Sequence, residues 1–266
     1  MNRLDLWTDS SDLVSETKSS GPAAAGHSSP AQSTASSPSA AGHYHLFTPL
    51  HYEPNYAYPL VIWLPDAGGT AREISRVMPL ISMRNYAGVG VNGIRPVQAF
   101  QPQRGYQWGQ QAADLDRARE AVMRAIDGAS QRMHVGRQRI FLAGHGTGGT
   151  LALRLGLAHP EIFAGAVSLL GGLPRGNRPL VRLAHARQVP LLMIYGRDSE
   201  RYGTDHVCQD LRTMHAAGLK VSLRQYPCGQ EVTTKMLSDV NAWIMAIVTG
   251  SPLESLHDDP CRESRN

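Results

Sequence analysis

The sequence predicts a doubly wound α/β domain built on a mostly parallel sheet, and three features carry that expectation. Apolar runs at residues 60–64, 140–143 and 191–195 are short and uninterrupted, as strands covered on both faces must be. They alternate with segments of helical periodicity, and each connection is long enough for a crossover to a parallel neighbour. The third feature is RIFLAGHGTGGTLALRLGL at residues 139–157, where a buried strand passes through a glycine-dense turn straight into a helix.

In chain order, residues 1–42 are a Ser/Ala/Pro/Gly-rich tract with too little apolar surface to offset the entropy of ordering it, so they are expected to be a disordered tail. Order is expected over residues 43–249. His43, His45 and Phe47 alternate with Tyr44 and Leu46 at the period of an edge strand. The apolar strand at 60–64 follows, and Pro65, Asp66, Ala67, Gly68 and Gly69 form the loop at its end. Thr70 and Glu73 have capping-box spacing ahead of a helix bearing Ile74, Val77, Met78 and Ile81, in which Pro79 predicts a kink or an early stop.

A weaker strand at 88–94 leads into the polar, aromatic loop RPVQAFQPQRGYQWGQQ. Leu115, Ala118, Val122, Ile126, Ala129 and Met133 are spaced for a long helix over 112–134. Beyond the glycine turn, strands are expected at 166–170, 191–195 and 221–226. The helices between and after them are a short one at 181–187, one marked by Val207, Leu211 and Met214, and one striped by Met236, Val240, Trp243, Ile244 and Ile247. Residues 250–266 are expected to be a second disordered tail. In such sheets the binding crevice lies beyond the carboxyl ends of the strands, which gathers the inter-element loops around one pocket.

Composition bounds the function. The 266 residues, 42% of them hydrophobic, can bury one substantial core, and the net charge of +4 is mildly basic and mostly arginine, which does not call for a nucleic-acid partner. Three cysteines without C-x-x-C spacing indicate neither a disulfide framework nor a zinc site. No apolar run reaches membrane-spanning length and the N-terminus lacks a secretory core, so the expectation is a cytoplasmic protein without cofactor or metal.

Gly144, His145, Gly146, Thr147 and Gly148 have the spacing of a Gly-x-Ser-x-Gly nucleophile elbow without its serine. With LAGHGTGGTLALRLGLAHPEIFAGAVSLLGGLP, VPLLMIYGRD and VSLRQYPCGQEVTTKMLSDVNAWIM in that order, the chain resembles the α/β-hydrolase superfamily. Within it the likeness is to the phospholipase/carboxylesterase branch that includes acyl-protein thioesterases. The resemblance implies an α/β-hydrolase fold over residues 43–249.

It also implies a triad whose nucleophile position falls on Gly146, whose acid position falls on Asp198 within one residue, and whose histidine position falls on Gln230. Glycine offers no attacking group, and an amide is not a general base near neutral pH. The oxyanion loop, His-Gly in the family, falls on Pro65 and Asp66, with Ala67, His145 and Thr147 lining the pocket. Thr147 is expected to supply a backbone N–H and to turn its side chain away.

The expectation is therefore a catalytically inactive homologue that binds a ligand or a protein partner. The alternative is an acyl hydrolase with a rearranged site, in which Thr147 or Cys228 attacks. For the first reading, a small acyl or anionic ligand is expected at the N-terminus of the elbow helix, with Arg104, Tyr106, Trp108, Arg175 and Arg178 as its rim.

Overall fold

The computed structural model describes residues 44–97 and 105–252. The expected tails lie outside the described residues except for 250–252, as do His43 and Arg104.

Strand β1 (Tyr44–Phe47) pairs antiparallel with β3 (Ala87–Val91), and β3 pairs parallel with β2 (Tyr58–Leu64). On the other side of β2 come β6 (Val135–His145), β7 (Gly165–Leu169), β8 (Leu191–Gly196) and β9 (Val221–Tyr226), all parallel. The seven-stranded order is thus β1-β3-β2-β6-β7-β8-β9. All residues of β2, β3, β7 and β8 are buried, which is why their sequences are apolar without alternation.

One face is covered by α1 (Ile74–Ile81) and α6 (Thr234–Thr249), whose Ile74, Met78, Met236 and Trp243 pack on Val61, Phe141 and Val167. The other is covered by α2 (Ala112–Arg132), α3 (Gly146–Ala158) and α5 (Thr204–Ala216). The four-residue α4 (Leu183–Ala186) is shorter than its sequence suggests. A separate two-stranded hairpin joins β4 (Arg95–Pro96) to β5 (Tyr106–Gln107).

Pro79 does not stop α1. It sits in the last turn, where its missing N–H removes a single helical bond, and Ser82 N–H still closes on Met78 O at 2.7 Å. The helix is preceded by a 3-10 turn over Ala71–Glu73, with Glu73 Oε1 accepting from Thr70 N–H at 3.0 Å. At the far end, Thr233 Oγ1 caps α6 by accepting from Met236 N–H, and Gly250 ends it in the left-handed region at φ +71°. No helix among the described residues is long and apolar enough to cross a membrane.

The topology dictates where a site can be. The chain leaves β2 toward β3 and later returns to lay β6 on the opposite side of β2, so strand order reverses between these two neighbours. Leu64, the last residue of β2, is registered against Gly144, and the loop after β2 therefore lies directly beside the turn into α3.

Candidate active site

The turn into α3 is a sharp elbow. A Cβ at Gly148 would come within 2.1 Å of Leu64 O, and one at Gly144 within 2.5 Å of the Gly148 carbonyl, so glycine is required at both positions by main-chain contact. Gly146 takes φ +51°, the left-handed region that glycine enters without a Cβ penalty. A Cβ at Gly146 would lie 2.4 Å from the carboxylate carbon of Asp66. The space where an elbow nucleophile would begin is filled by an acid from the loop after β2.

Asp66 is 7% exposed and fully engaged. Its Oδ1 accepts from Thr147 N–H at 2.9 Å and from Thr147 Oγ1–H at 2.9 Å, while Oδ2 accepts from Arg201 Nη1 at 2.7 Å. Burial acts to raise its pKa, but the Arg201 bond and the backbone N–H groups of Thr147 and Ala67 outweigh it and bring the acid down to about 2. Thr147 does not turn its side chain away as expected. The carboxylate beside it offers the hydroxyl an acceptor and draws it into the site.

The loop that carries Asp66 is held on both sides. Trp108 Nε1 donates to Pro65 O at 2.8 Å, Gly68 N–H to Tyr106 O at 2.8 Å, and Tyr106 N–H to Gly69 O at 3.1 Å. Trp108 and Tyr106 thus act on the loop: the first is buried and its indole N–H is spent on main chain, and the second is half-buried in β5. Behind the loop, Glu73 accepts from Trp63 Nε1 at 3.1 Å as well as from Thr70 N–H. Burial pushes this carboxyl up to about 7, and the nearby Asp66 charge adds to the rise.

His145 precedes Gly146 and is buried, and its imidazole Nε2–H donates to the Gln230 carbonyl at 3.0 Å. Burial lowers its pKa, with the Asp66 charge opposing. This bond joins the elbow to the segment expected to stand at the family's histidine position, where the side-chain amide atoms of Gln230 are buried without a hydrogen-bond partner among the described residues.

Asp198 is near that segment through its backbone, which donates N–H to Cys228 O at 3.0 Å. Its carboxylate instead stands in solvent, 57% exposed, against Arg197. Cys228 is buried and its thiol is pushed up to about 11 by burial, then by Glu231 and Asp198, which leaves little thiolate near neutral pH.

The expected rim is arranged differently from a ligand clamp. Arg175 is exposed and bonds Gln209 and Asp210, Arg178 is exposed, and Ala67 is exposed. The loop bearing both arginines is fastened from below by Arg154, which donates to Arg175 O at 2.7 Å and Gly176 O at 3.1 Å. The cation that reaches the elbow is Arg201, which sequence reasoning did not single out and which carries no local motif. Asp66 was legible only as a departure from the family's His-Gly. Among the described residues no group of three His, Cys, Asp or Glu side chains could hold a metal ion.

Comparison with known proteins bears on the family and the fold. The sequence profile of the phospholipase/carboxylesterase family matches residues 96–248. A putative esterase, NocK of Nocardia uniformis subsp. tsuyamanensis, is 33% identical over 141 residues, 52% of this chain, and the match spans only 39% of that relative's length. Among solved structures, Zea mays acyl-protein thioesterase 2 superposes with a TM-score of 0.61 at 18% identity, covering 78% of this chain and 99% of that one. Bacillus cereus carboxylesterase superposes with a TM-score of 0.61 at 14% identity, covering 78% and 96%. At these identities the two structures establish a shared α/β-hydrolase fold.

Proposed function

The chain belongs to the phospholipase/carboxylesterase family, and from that premise we propose that it is a non-catalytic member serving as a binding or interaction module. The observation that carries this reading is the Asp66 carboxylate in the space over Gly146. In a serine hydrolase the N–H of the residue after the nucleophile belongs to the oxyanion hole. Here that group is Thr147 N–H, and it is already bonded to Asp66. A substrate carbonyl would find no nucleophile at Gly146, no imidazole at position 230 and one oxyanion donor taken. The anion expected at the α3 N-terminus is supplied by the protein itself, so a ligand of this face has to bind elsewhere on it.

The rival reading, an acyl hydrolase with a rearranged site, rests on Thr147 Oγ1–H pointing at a carboxylate. That has the outline of a nucleophile and its base, but an acid held near pKa 2 and bonded to Arg201 is a poor proton acceptor. The two readings separate in one assay. Purified protein is expected to leave a short-chain p-nitrophenyl ester untouched and to resist labelling by a fluorophosphonate. Turnover that disappears in Thr147→Ala or Cys228→Ala would establish the rearranged site instead.

A further inference from the structure

Among the described residues, every buried aspartate has an arginine against it. Asp66 pairs with Arg201, Asp114 with Arg95, Asp210 with Arg175 and Asp239 with Arg224, at 2.7 to 3.4 Å. Arg154 on α3 departs from this pattern. It is 6% exposed and forms no ion pair with any described residue. Burial lowers its pKa with no carboxylate opposing, so a guanidinium is held out of water with its charge unmatched. An arginine in solvent needs no acid, because water solvates it, and Arg154 lacks that recourse.

What Arg154 holds is main chain. Its Nη2 donates to Arg175 O at 2.7 Å and its Nη1 to Gly176 O at 3.1 Å. In a trans peptide unit the N–H points opposite to the C=O. With both carbonyls turned down onto the guanidinium, the N–H groups of Gly176 and Asn177 are turned outward, side by side. Neither donates to a described residue, and both residues are exposed.

The loop is held in this shape from a second side, where Asn177 Nδ2 donates to Gln110 O at 2.8 Å. Gly176 and Asn177 take φ +68° and +49°, and adjacent N–H groups in such a turn form an anion-binding concavity. A Cβ built at Gly176 would meet nothing within 4 Å, so the approach from solvent is open. The surrounding charge is of one sign: residues 162–197 contain five arginines and no Asp or Glu. Asp210 meets Arg175 from another element, but it is buried and also accepts from Leu173 N–H and Tyr202 Oη–H.

We propose that the outer face of the loop at residues 175–178 is a binding site for a phosphate group. The N–H groups of Gly176 and Asn177 take its oxygens, the exposed Arg178 closes on it from the solvent side, and the charge of Arg154 supports it from beneath the peptide units. A dianion answers two guanidinium charges, which favours phosphate over a carboxylate. The site supplies a ligand class for the binding module proposed above and rests on that reading only for its use. The geometry stands whether or not the elbow is catalytic.

The test follows the amide signals of Gly176 and Asn177 in 1H–15N spectra of the full chain at pH 8. Inorganic phosphate is titrated in at an ionic strength held constant with chloride. Both signals are expected to shift downfield and to saturate in the millimolar range. Arg178→Gln and Arg154→Met should each weaken binding about tenfold, and Arg154→Lys, which keeps the charge, should weaken it less than Arg154→Met. Acetate should bind about tenfold more weakly than phosphate. The amide pattern of the rest of the chain verifies that each variant is folded. Signals that do not move with phosphate, or that move as far with chloride or acetate, overturn the proposal, as does Arg154→Met binding as tightly as the natural chain. Pelleting with phosphatidic acid vesicles assigns the bound phosphate to a lipid headgroup, and binding of glycerol phosphate without pelleting assigns it to a soluble ester. The titration reads this loop alone, so its failure is distinct from that of the ester assay.

Discussion

The elbow at α3 and the loop after β2 touch each other, and they have diverged from the family's pattern in opposite ways. The elbow keeps its main-chain geometry, with Gly144 and Gly148 packed against carbonyl groups and Gly146 at positive φ, while the side chain that would react is missing. The loop, where the resemblance leads one to expect His-Gly, carries in Asp66 a side chain that reaches into the elbow. Backbone shape and chemical capacity are therefore separable here. The first is maintained by contacts that stability requires, and the second is free to change wherever a side chain can be replaced without disturbing those contacts.

The comparison is most severely tested on the side of shape. Gly148→Ala drives a Cβ to 2.1 Å from Leu64 O, backbone that cannot move without shifting β2. A loss of about 4 kcal/mol or failure to fold is expected, read by urea denaturation, since overpacking against main chain stands at the upper end of single-site effects. A loss under about 1 kcal/mol would mean that the elbow geometry is not enforced by packing.

On the side of chemistry, Gly146→Ser with Gln230→His should remain silent toward a p-nitrophenyl ester, because the new side chain meets Asp66 at 2.4 Å and Thr147 N–H stays occupied. Adding Asp66→Gly frees both, and hydrolysis should rise on the order of 100-fold, the value of one oxyanion donor. Activity in the two-residue variant equal to that of the three-residue variant would show that Asp66 does not close the site.

The remaining effect concerns what lies behind the loop. Glu73 has its pKa raised from 4.5 to about 7. Below pH 4.5 the group is protonated in both folded and unfolded chains. Between 4.5 and about 7 the unfolded chain ionises first, so stability falls with rising pH, and above 7 the loss is complete. Glu73→Gln keeps a single amide oxygen for one of the two donors, Thr70 N–H and Trp63 Nε1–H, and faces the other with an NH2 group. It should lower stability at acid pH but remove a pH-dependent loss of roughly 3 kcal/mol, so that its stability changes little between pH 4.5 and pH 8. Identical pH slopes for the two proteins would show that the carboxyl is not held protonated by burial.

Much of the fold was legible from local pattern. The unbroken apolar runs of β2 and β8 and the stripe on α6 are direct consequences of two-sided and one-sided burial, so their extents in the structure match the sequence closely. Strand β6, in contrast, begins at Val135, ahead of its apolar run, through a polar and partly exposed stretch that carries no such signal. The helix bearing Pro79 runs on only to Ile81, because a proline in the final turn of α1 disturbs a single hydrogen bond and does not stop the helix at once. Thr147 was misjudged because its direction depends on an acceptor 81 residues away. Arg175 and Arg178 sit at the correct end of the sheet, but local carbonyls and Asp210 already fix their loop.

By itself the sequence determined that a strand, an elbow and a helix would follow one another, and that no serine or histidine would stand at positions 146 and 230. Those are properties of residue identity and of short-range geometry. Only the tertiary structure decided what fills the site, because that depended on β2 lying beside β6 with Leu64 opposite Gly144. That register sets Asp66 over Gly146, and an arginine 135 residues further along the chain completes its ion pair. The stabilisation comes from a buried charge finding its donors, and no local stretch of sequence contains both.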